Sequence, residues 1–274
     1  MTSGGFVLRG AATLLFVPGD RPERFGRAAS SGADVIIIDL EDGVSRATRP
    51  DARRNIESWL RAGESAVVRL NAYGTQDHAL DVGALRGVAT HVMLARTESA
   101  ADVNSTTVEI GGQVEVIALI ETAKGVAAAA GIAASDAVVR LAFGNVDLST
   151  ELGVDADDRQ ALLAARSLVA LASAAAGLYG PVDGVTTTLD DAALVVADTA
   201  HAASLGFRGK LCIHPLQLDP ARLGLAPSQA QVSWAQQIVA VASTGEARAV
   251  AGQMVDRPVE ERARDILRRA TSRR

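Results

Sequence analysis

Short apolar segments alternate with longer amphipathic segments along most of the chain. Helical patterns begin at about residue 20, where Asp20 is a candidate N-cap, and recur at about 49–60, 77–87, 122–134, 156–177 and 191–205. Between them lie eight apolar segments of strand length, at 13–17, 34–39, 66–70, 90–95, 115–120, 138–143, 182–186 and 208–213. Strands that are apolar on both faces and are each followed by a helix are typical of a parallel sheet.

Eight strand–helix units match a closed barrel, so we predict an α/β protein with the (β/α)8 TIM-barrel fold. A doubly wound open sheet is the alternative, but FVPGDRPERF stands after the first strand in place of the G-x-G-x-x-G sequence. Two more helices are predicted beyond the eighth strand, at 229–243 and 258–271. We therefore expect a barrel at 1–218 and a C-terminal helical extension at 219–274, which packs on the barrel or on a neighbouring subunit.

Composition excludes several classes of protein. Of the 274 residues 48% are hydrophobic and 22% charged, which is typical of a globular protein, and the net charge of −5 disfavours a nucleic-acid partner. Cys212 is the single cysteine, which excludes an internal disulfide and fits a reducing compartment. Residues 1–10 lack a signal-peptide pattern, and no apolar run approaches the roughly 20 residues of a membrane span. We expect a cytoplasmic protein with no membrane partner.

The active site of such a barrel lies at the carboxyl ends of its strands, and the residues there are polar. They are Asp39, Glu41 and Asp42 after strand two, Arg69 in strand three, Glu121 after strand five, Gly144, Asn145 and Asp147 after strand six, and His214 after strand eight. Carboxylates that converge from three strands repel one another unless a cation lies among them, which favours Mg²⁺ held by oxygen ligands. Each acid taken alone could instead cap the following helix, and Arg69 could simply pair with one of them.

Basic residues offer a second candidate site. Arg21 and Arg24 flank the start of the first predicted helix, where free backbone N–H groups favour an anion such as a phosphate. From the sequence alone, a solvated helix face is the simpler interpretation. Lys124 and Lys210 are the only lysines and neither ends a strand, so Schiff-base chemistry is disfavoured.

Eight segments, in this order along the chain, resemble the citrate lyase β-subunit-like proteins and malyl-CoA lyases of the HpcH/HpaI aldolase/citrate lyase family. They are FVPGDRPERF, DVIIIDLEDGV, VVRLNAYGT, LIETAKG, FGNVDL, GFRGKLCIHPLQL, APSQAQVSWA and GQMVDRPV. The resemblance covers nearly the whole chain and implies a magnesium-dependent barrel lyase. It implies that Glu121 and Asp147 hold Mg²⁺, that Arg69 binds the substrate, and that Glu41 and Asp42 support the catalytic site.

The resemblance also implies how the rest of the substrate is held. Gly144 and Asn145 are expected to contact the substrate, and Arg21 and Arg24 the CoA moiety. Asp256, in GQMVD, is implied to reach the active site of a neighbouring subunit and to move the proton at the enolate carbon. The protein would then be a homo-oligomer, a trimer or a multiple of one. Without the resemblance, Asp256 is more simply the N-cap of the next helix.

Two positions depart from the family pattern. Ala95-Arg96 stands where family members usually have Pro-Lys, and Val146 stands where they usually have Glu. Arg96 keeps the positive charge with a different geometry, and Val146 removes a carboxylate behind the metal site. Both changes bear more on substrate choice than on metal binding.

The implied reaction is the reversible cleavage of a β-hydroxyacyl thioester, such as malyl-CoA or citramalyl-CoA, to an acyl thioester and an α-keto acid. Three alternatives stay open: a citrate lyase β subunit acting on a carrier-protein thioester, an aldolase for free hydroxy-keto acids, and a non-catalytic binding or scaffold relative. A scaffold would be free to lose Glu121, Asp147 or Arg69, yet all three are present.

Overall fold

The computed structural model describes residues 8–242, 249–250 and 253–271. Eight parallel strands pair in chain order and close into a barrel through β1 and β8, which confirms the predicted (β/α)8 fold. The strands β1 to β8 are Thr13–Pro18, Val35–Asp39, Val67–Leu70, His91–Leu94, Glu115–Ile120, Val138–Phe143, Val182–Asp183 and Gly209–Cys212.

Helices follow the strands around the barrel. The helices α1 to α9 are Phe25–Ala29, Arg49–Arg61, Gln76–Leu85, Ala100–Ile110, Ala123–Ala133, Asn145–Leu152, Leu163–Ala175, Ala192–Ser204 and Leu218–Leu225, and short 3-10 turns occupy Pro22–Arg24 and Pro215–Gln217. The sequence pattern misses α4, α6 and α9. Helix α4 is rich in polar and β-branched residues, whose periodicity is weak.

Three local predictions are wrong. The helix expected at 156–177 begins only at Leu163, because Gly153 ends α6 with a φ of 69° and aspartate side chains then accept backbone hydrogen bonds in turns. Asp20 is not an N-cap, because its carboxylate accepts a hydrogen bond from the Thr48 hydroxyl at 2.9 Å. The strand expected at 182–186 is paired only over Val182–Asp183, since later carbonyls accept from side chains instead of from a neighbouring strand.

The core has two layers. Inside the barrel, one cluster includes Leu14, Ile37, Val67, Met93, Ile117, Leu119 and Leu211. A larger cluster lies between the strands and the surrounding helices. Because apolar side chains fill the barrel, it is a packed core rather than a pore.

The chain forms two compact units, 1–224 and 225–274. The second contains α10 (Gln229–Ala242), α11 (Arg257–Thr271) and a short antiparallel pair, β9 (Ala249–Val250) with β10 (Gln253–Met254). The two helices share a small core of their own, built on Ala235, Ile238, Ala263 and Ile266. These helices confirm the predicted C-terminal extension, while its domain boundary at 218/219 stays a prediction. Within the described residues, no helix has both the length and the apolar composition of a membrane span.

Candidate active site

Arg69 is the most rigidly held of the predicted site residues. Its Nε donates to Asp39 Oδ1 at 2.7 Å and its Nη2 to Asp39 Oδ2 at 2.6 Å, so the guanidinium and the carboxylate form two parallel bonds. The pairing follows from the barrel, because Asp39 and Arg69 are partners in the β2–β3 register. The guanidinium also lies 4.8 Å from the ring centre of Phe16. Arg69 therefore presents a planar cation in one fixed orientation.

Glu41 contacts the same arginine from the other side. Its Oε2 lies 2.8 Å from Arg69 Nη1, but the alignment is not that of a hydrogen bond, and this buried oxygen has no hydrogen-bond partner among the described residues. Burial raises the pKa of Glu41, and the charge of Arg69 offsets part of that rise. Asp42, the next residue, is exposed and adds negative charge that raises the pKa of both Glu41 and Asp147.

Glu121 follows β5 and is buried beside these groups. Its Oε1 accepts a hydrogen bond from the backbone N–H of Arg96 at 2.7 Å. Burial raises the pKa of Glu121 to about 8, and the negative charges of Glu41 and Asp147 contribute to the shift. The carboxylates from β2, β5 and the β6 end are therefore near enough to oppose one another's ionisation, as the sequence predicts for this rim.

Gly144 makes room for Glu121. A Cβ atom on Gly144 would lie 2.6 Å from Glu121 Oε2, closer than side-chain atoms approach in proteins. The structure thus places Gly144 directly against the carboxylate. Its predicted contact with substrate stays a prediction.

Gly144→Ala is therefore expected to displace the Glu121 carboxylate and to weaken Mg²⁺ binding by about tenfold or more, since metal ligation depends on ligand position. Calorimetric titration with Mg²⁺ measures the effect. Gly131→Ala is the matched control, because Gly131 lies exposed in α5 and a Cβ there meets no atom within 4 Å. Equal Mg²⁺ affinity in the two variants would contradict this role of Gly144.

Asp147 lies in the first turn of α6, and its side chain is 35% exposed. Burial raises its pKa, Asp42 raises it further, and Arg96 opposes the shift. The neighbouring Asn145 is buried and its Nδ2 donates to the Val185 carbonyl at 3.1 Å. This bond ties the start of α6 to the segment after β7. The substrate contact predicted for Asn145 stays a prediction.

The donor set fits a divalent cation. The buried Glu41 Oε2 has no hydrogen-bond partner among the described residues. Burial, together with the neighbouring carboxylates Glu41 and Asp147, raises the pKa of Glu121 to about 8, so a bound cation would relieve the repulsion among these carboxylates. In the part of the chain that the structure describes, no three His, Cys, Asp or Glu side chains form a ready-made metal cluster. A site with two protein carboxylates, completed by water and substrate, is the arrangement that Mg²⁺ favours.

From the sequence, Arg69 could pair with one of the rim acids, and the structure identifies that acid as Asp39, but three hydrogen bonds of the site could not be named from the sequence. Asp39 orients Arg69, the backbone of Arg96 donates to Glu121, and Arg49 donates from Nη2 to the Glu41 carbonyl at 3.3 Å. Arg96 has a φ of 47°, and it is the only described residue other than glycine with a positive φ. Sequence spacing carries no signal for such a backbone conformation or for the rotamer of Asp39.

The two arginines predicted to bind CoA lie in different surroundings. Arg24 lines a cleft of about 450 Å³, together with Arg27 and His214, at the β1 and β8 edge of the barrel. Arg21 lies exposed beside Asp20, with Nε 3.9 Å from the carboxylate. The phosphate-binding role of both stays a prediction.

Asp256 belongs to the second unit and immediately precedes α11. Its Oδ1 accepts a hydrogen bond from the Val259 backbone N–H at 3.1 Å, which confirms that it caps the helix. The catalytic role that the resemblance implies, in a neighbouring subunit, stays a prediction.

Comparison with known proteins yields one consistent family. The profile of the HpcH/HpaI aldolase/citrate lyase family matches residues 12–215. A citrate lyase subunit beta-like protein of Mycobacterium tuberculosis is 43% identical over 265 residues, which cover 93% of this chain and 94% of the relative. A (3S)-malyl-CoA thioesterase of Cereibacter sphaeroides is 30% identical over 265 residues, covering 94% of this chain and 92% of that protein.

The fold is also found in solved structures. The crystal structure of protein CitE from Mycobacterium tuberculosis, in complex with magnesium, acetoacetate and coenzyme A, superposes with a TM-score of 0.85 at 42% identity. The similarity covers 96% of this chain and 99% of that one. Magnesium is therefore present in a relative whose fold this chain shares, in agreement with the cofactor predicted from the sequence.

Proposed function

The chain belongs to the HpcH/HpaI aldolase/citrate lyase family, and we propose that it is a Mg²⁺-dependent carbon–carbon lyase acting on a β-hydroxyacyl thioester. The substrate is a CoA ester such as malyl-CoA, citramalyl-CoA or a related hydroxyacyl-CoA, and the products are an acyl thioester and an α-keto acid. The observation that carries the proposal is the cluster of Glu41, Glu121 and Asp147 around the fixed guanidinium of Arg69.

Two carboxylates of the site are assigned to the metal. Glu121 and Asp147 would hold Mg²⁺, which when bound supplies a Lewis acid for the carbonyl and carboxylate oxygens of the keto acid. Glu121 must lose its proton to serve as a ligand, because its pKa is raised to about 8. Asp147 is accessible to solvent at the mouth of the site, where substrate and water complete the coordination.

Arg69 supplies the fixed positive charge beside the bond that breaks. Asp39 holds the guanidinium plane, so its orientation needs no reorganisation when negative charge develops on a substrate oxygen. Burial alone would lower the pKa of Arg69, but the charges of Asp39 and Glu41 more than offset this, so the residue stays cationic. Arg69 binds the substrate carboxylate or thioester oxygen, with Glu41 and Asp42 supporting the site and Gly144 and Asn145 contacting the substrate.

The phosphates of a CoA thioester need a positively charged surface beside the site. Arg24 and Arg27 line the cleft of about 450 Å³ together with His214, which follows β8. Guanidinium groups there can pair with the phosphates of CoA, and Arg21 adds exposed positive charge on the same turn. The CoA-bound structure of the Mycobacterium tuberculosis relative supports this carrier over a carrier protein.

We assign the transfer of the proton at the enolate carbon to Asp256 of a neighbouring subunit. A carboxylate suits this transfer when partial burial brings its pKa toward the working pH. The proposal makes the protein a homo-oligomer, a trimer or a multiple of one, with each site incomplete in a monomer. The capping bond to Val259 uses one carboxylate oxygen of Asp256 and leaves the other for chemistry.

Mixed oligomers test this arrangement. Asp256→Asn keeps a good helix cap but cannot transfer a proton, and Glu121→Gln removes a metal ligand, so each variant alone is expected to be nearly inactive. After the two are denatured and refolded together, about a quarter of the sites should pair two intact halves and regain activity. Each variant refolded alone is the control. No recovery in the mixture, or a fully active monomer, would rule out catalysis across subunits.

The function itself is tested with purified protein and a panel of malyl-CoA, citramalyl-CoA, citryl-CoA, a carrier-protein thioester and a free 4-hydroxy-2-keto acid. Release of keto acid and acyl-CoA with Mg²⁺, lost when EDTA removes the metal, is the expected result. Cleavage of free hydroxy-keto acids alone would indicate an aldolase, and release of CoA without keto acid a thioesterase. Turnover only of a thioester on a carrier protein would indicate a citrate lyase β subunit. Mg²⁺ binding with no turnover of any substrate would indicate a non-catalytic relative.

A further inference from the structure

Arg96 occupies an unusual place between the two proposed metal ligands. It follows β4 with a φ of 47°, a left-handed conformation that side chains other than glycine rarely adopt. In this conformation its backbone N–H donates to Glu121 Oε1 at 2.7 Å, while its guanidinium lies toward Asp147. Strained backbone of this kind concentrates at ligand-binding positions.

The backbone role does not require an arginine. Glycine adopts a positive φ without strain and carries the same N–H group. The side chain of Arg96 is 46% exposed, and its Nη1 lies 3.9 Å from Asp147 Oδ1. The hydrogen bond from Lys124 lowers the pKa of the nearby Glu98, and the charge of Arg96 also lowers it. The ion pair with Asp147 is long and open to water, so it contributes little to stability. The guanidinium therefore needs another explanation.

Two other cations of this rim, Arg69 and Lys124, are already engaged. The guanidinium of Arg69 is committed to Asp39 and Glu41. Lys124 Nζ donates to Glu98 at 2.9 Å. Arg96 thus differs from Arg69 and Lys124 in holding its cation at the site without a close hydrogen-bonded partner among the described side chains. Once Asp147 is a metal ligand, as the proposed function requires, the Arg96 fork is available to a substrate.

We propose that Arg96 determines specificity by binding a second carboxylate of the keto acid. Within the proposed class of thioesters, the site then prefers one that yields a dicarboxylic α-keto acid, as citryl-CoA does, to malyl-CoA or citramalyl-CoA, whose keto acids have one carboxylate. This inference rests on the proposed function. A guanidinium binds a carboxylate through two parallel hydrogen bonds, which a lysine at this position cannot reproduce. The first carboxylate and the carbonyl of the keto acid are left for the metal and Arg69.

The inference is tested by calorimetry, which measures the affinities for pyruvate and for freshly dissolved oxaloacetate in the presence of Mg²⁺. These two keto acids differ by one carboxylate. Wild-type protein is expected to bind oxaloacetate at least about tenfold more tightly than pyruvate. Arg96→Gly keeps the N–H and the positive φ, so it should reduce this ratio to about one while leaving pyruvate and Mg²⁺ affinities within about threefold. Arg96→Lys should retain part of the preference through its charge.

The outcomes distinguish a failure of the role of Arg96 from a failure of the proposed function. Binding of both keto acids with a ratio that Arg96→Gly leaves unchanged would overturn the role of Arg96 and leave the proposed function standing. A loss of Mg²⁺ or pyruvate binding in Arg96→Gly would show that the arginine acts on the site's structure, and would also overturn it. Failure of the wild-type protein to bind either keto acid with Mg²⁺ would overturn the proposed function together with this inference.

Discussion

Glu121→Gln is expected to lower kcat/KM for thioester cleavage by about a thousandfold or more, equivalent to about 4 kcal/mol of transition-state stabilisation. The amide keeps the shape of the side chain and still accepts the hydrogen bond from the Arg96 N–H. It cannot supply an anionic oxygen to a divalent cation, so Mg²⁺ binding should be lost with activity. Calorimetric titration with Mg²⁺ and steady-state kinetics measure the two effects.

The pH dependence of Mg²⁺ affinity is a second test of the role of Glu121. Mg²⁺ must displace the proton of Glu121, so wild-type affinity should rise with pH until the pH passes the pKa of about 8. Glu121→Gln is expected to bind little or no Mg²⁺, and because its amide does not titrate, any residual Mg²⁺ affinity should not follow this pH dependence. The variant should not melt earlier at pH 7, since burial already favours the neutral form of Glu121 there.

Glu151→Gln is the matched control for this substitution. Glu151 is exposed at the end of α6 and accepts a hydrogen bond from the Ala123 N–H at 3.2 Å. Its amide variant should keep wild-type Mg²⁺ affinity and turnover. If Glu121→Gln bound Mg²⁺ as tightly as Glu151→Gln does, Glu121 would not be a metal ligand.

Arg69→Lys is expected to reduce kcat by about a hundredfold despite keeping the charge, because one oriented donor to a developing oxyanion is worth roughly 10²–10³ in rate. Lysine has a single nitrogen and cannot make the two parallel bonds to Asp39 or hold a plane toward the substrate. The ammonium would move among Asp39, Glu41 and the substrate. Turnover measured at saturating substrate and Mg²⁺ isolates this loss.

Arg61→Lys controls for the exchange of one cation for another. Arg61 lies at the exposed end of α2, where its Nε donates to Glu57 at 2.9 Å. An exposed helical pair of this kind is worth a few tenths of a kcal/mol at most, so this variant should behave as wild type. Wild-type kinetics in Arg69→Lys would mean that the guanidinium fork has no part in the reaction.

The barrel could be predicted because its strands are almost purely apolar. Val35–Asp39 and Glu115–Ile120 bury nearly every side chain, so their sequence signal survives without any tertiary information. The misplaced start of α7 depends on local turns after Gly153, while the short seventh strand depends on longer-range contacts. The strand after Pro181 is short because Asn145 and Gln217 take the carbonyls that a neighbouring strand would otherwise pair with.

The candidate site also has residues that the sequence places correctly and contacts that the sequence does not reveal. Arg69, Glu121 and Asp147 could be placed from the sequence, because the carboxyl end of a barrel strand fixes where its last residue lies. The bidentate bond to Asp39 depends on the β2–β3 register, and the contribution of Arg96 depends on a single left-handed residue. Neither leaves a trace in hydrophobic periodicity. Without the resemblance, the sequence predicts Asp256 only as a helix cap, since a contact in a neighbouring subunit would leave no pattern in the sequence of one chain.

Anomalous scattering from crystals grown with Mn²⁺ and pyruvate would show where the metal binds, because Mn²⁺ shares the oxygen preference of Mg²⁺ and can be located without ambiguity. We expect one anomalous peak at the carboxyl end of the barrel, bound by the carboxylates of Glu121 and Asp147, with pyruvate completing the coordination beside Arg69. A peak bound elsewhere in the protein, or a site in which Glu121 keeps only its bond to Arg96 and does not touch the ion, would contradict the proposed metal site.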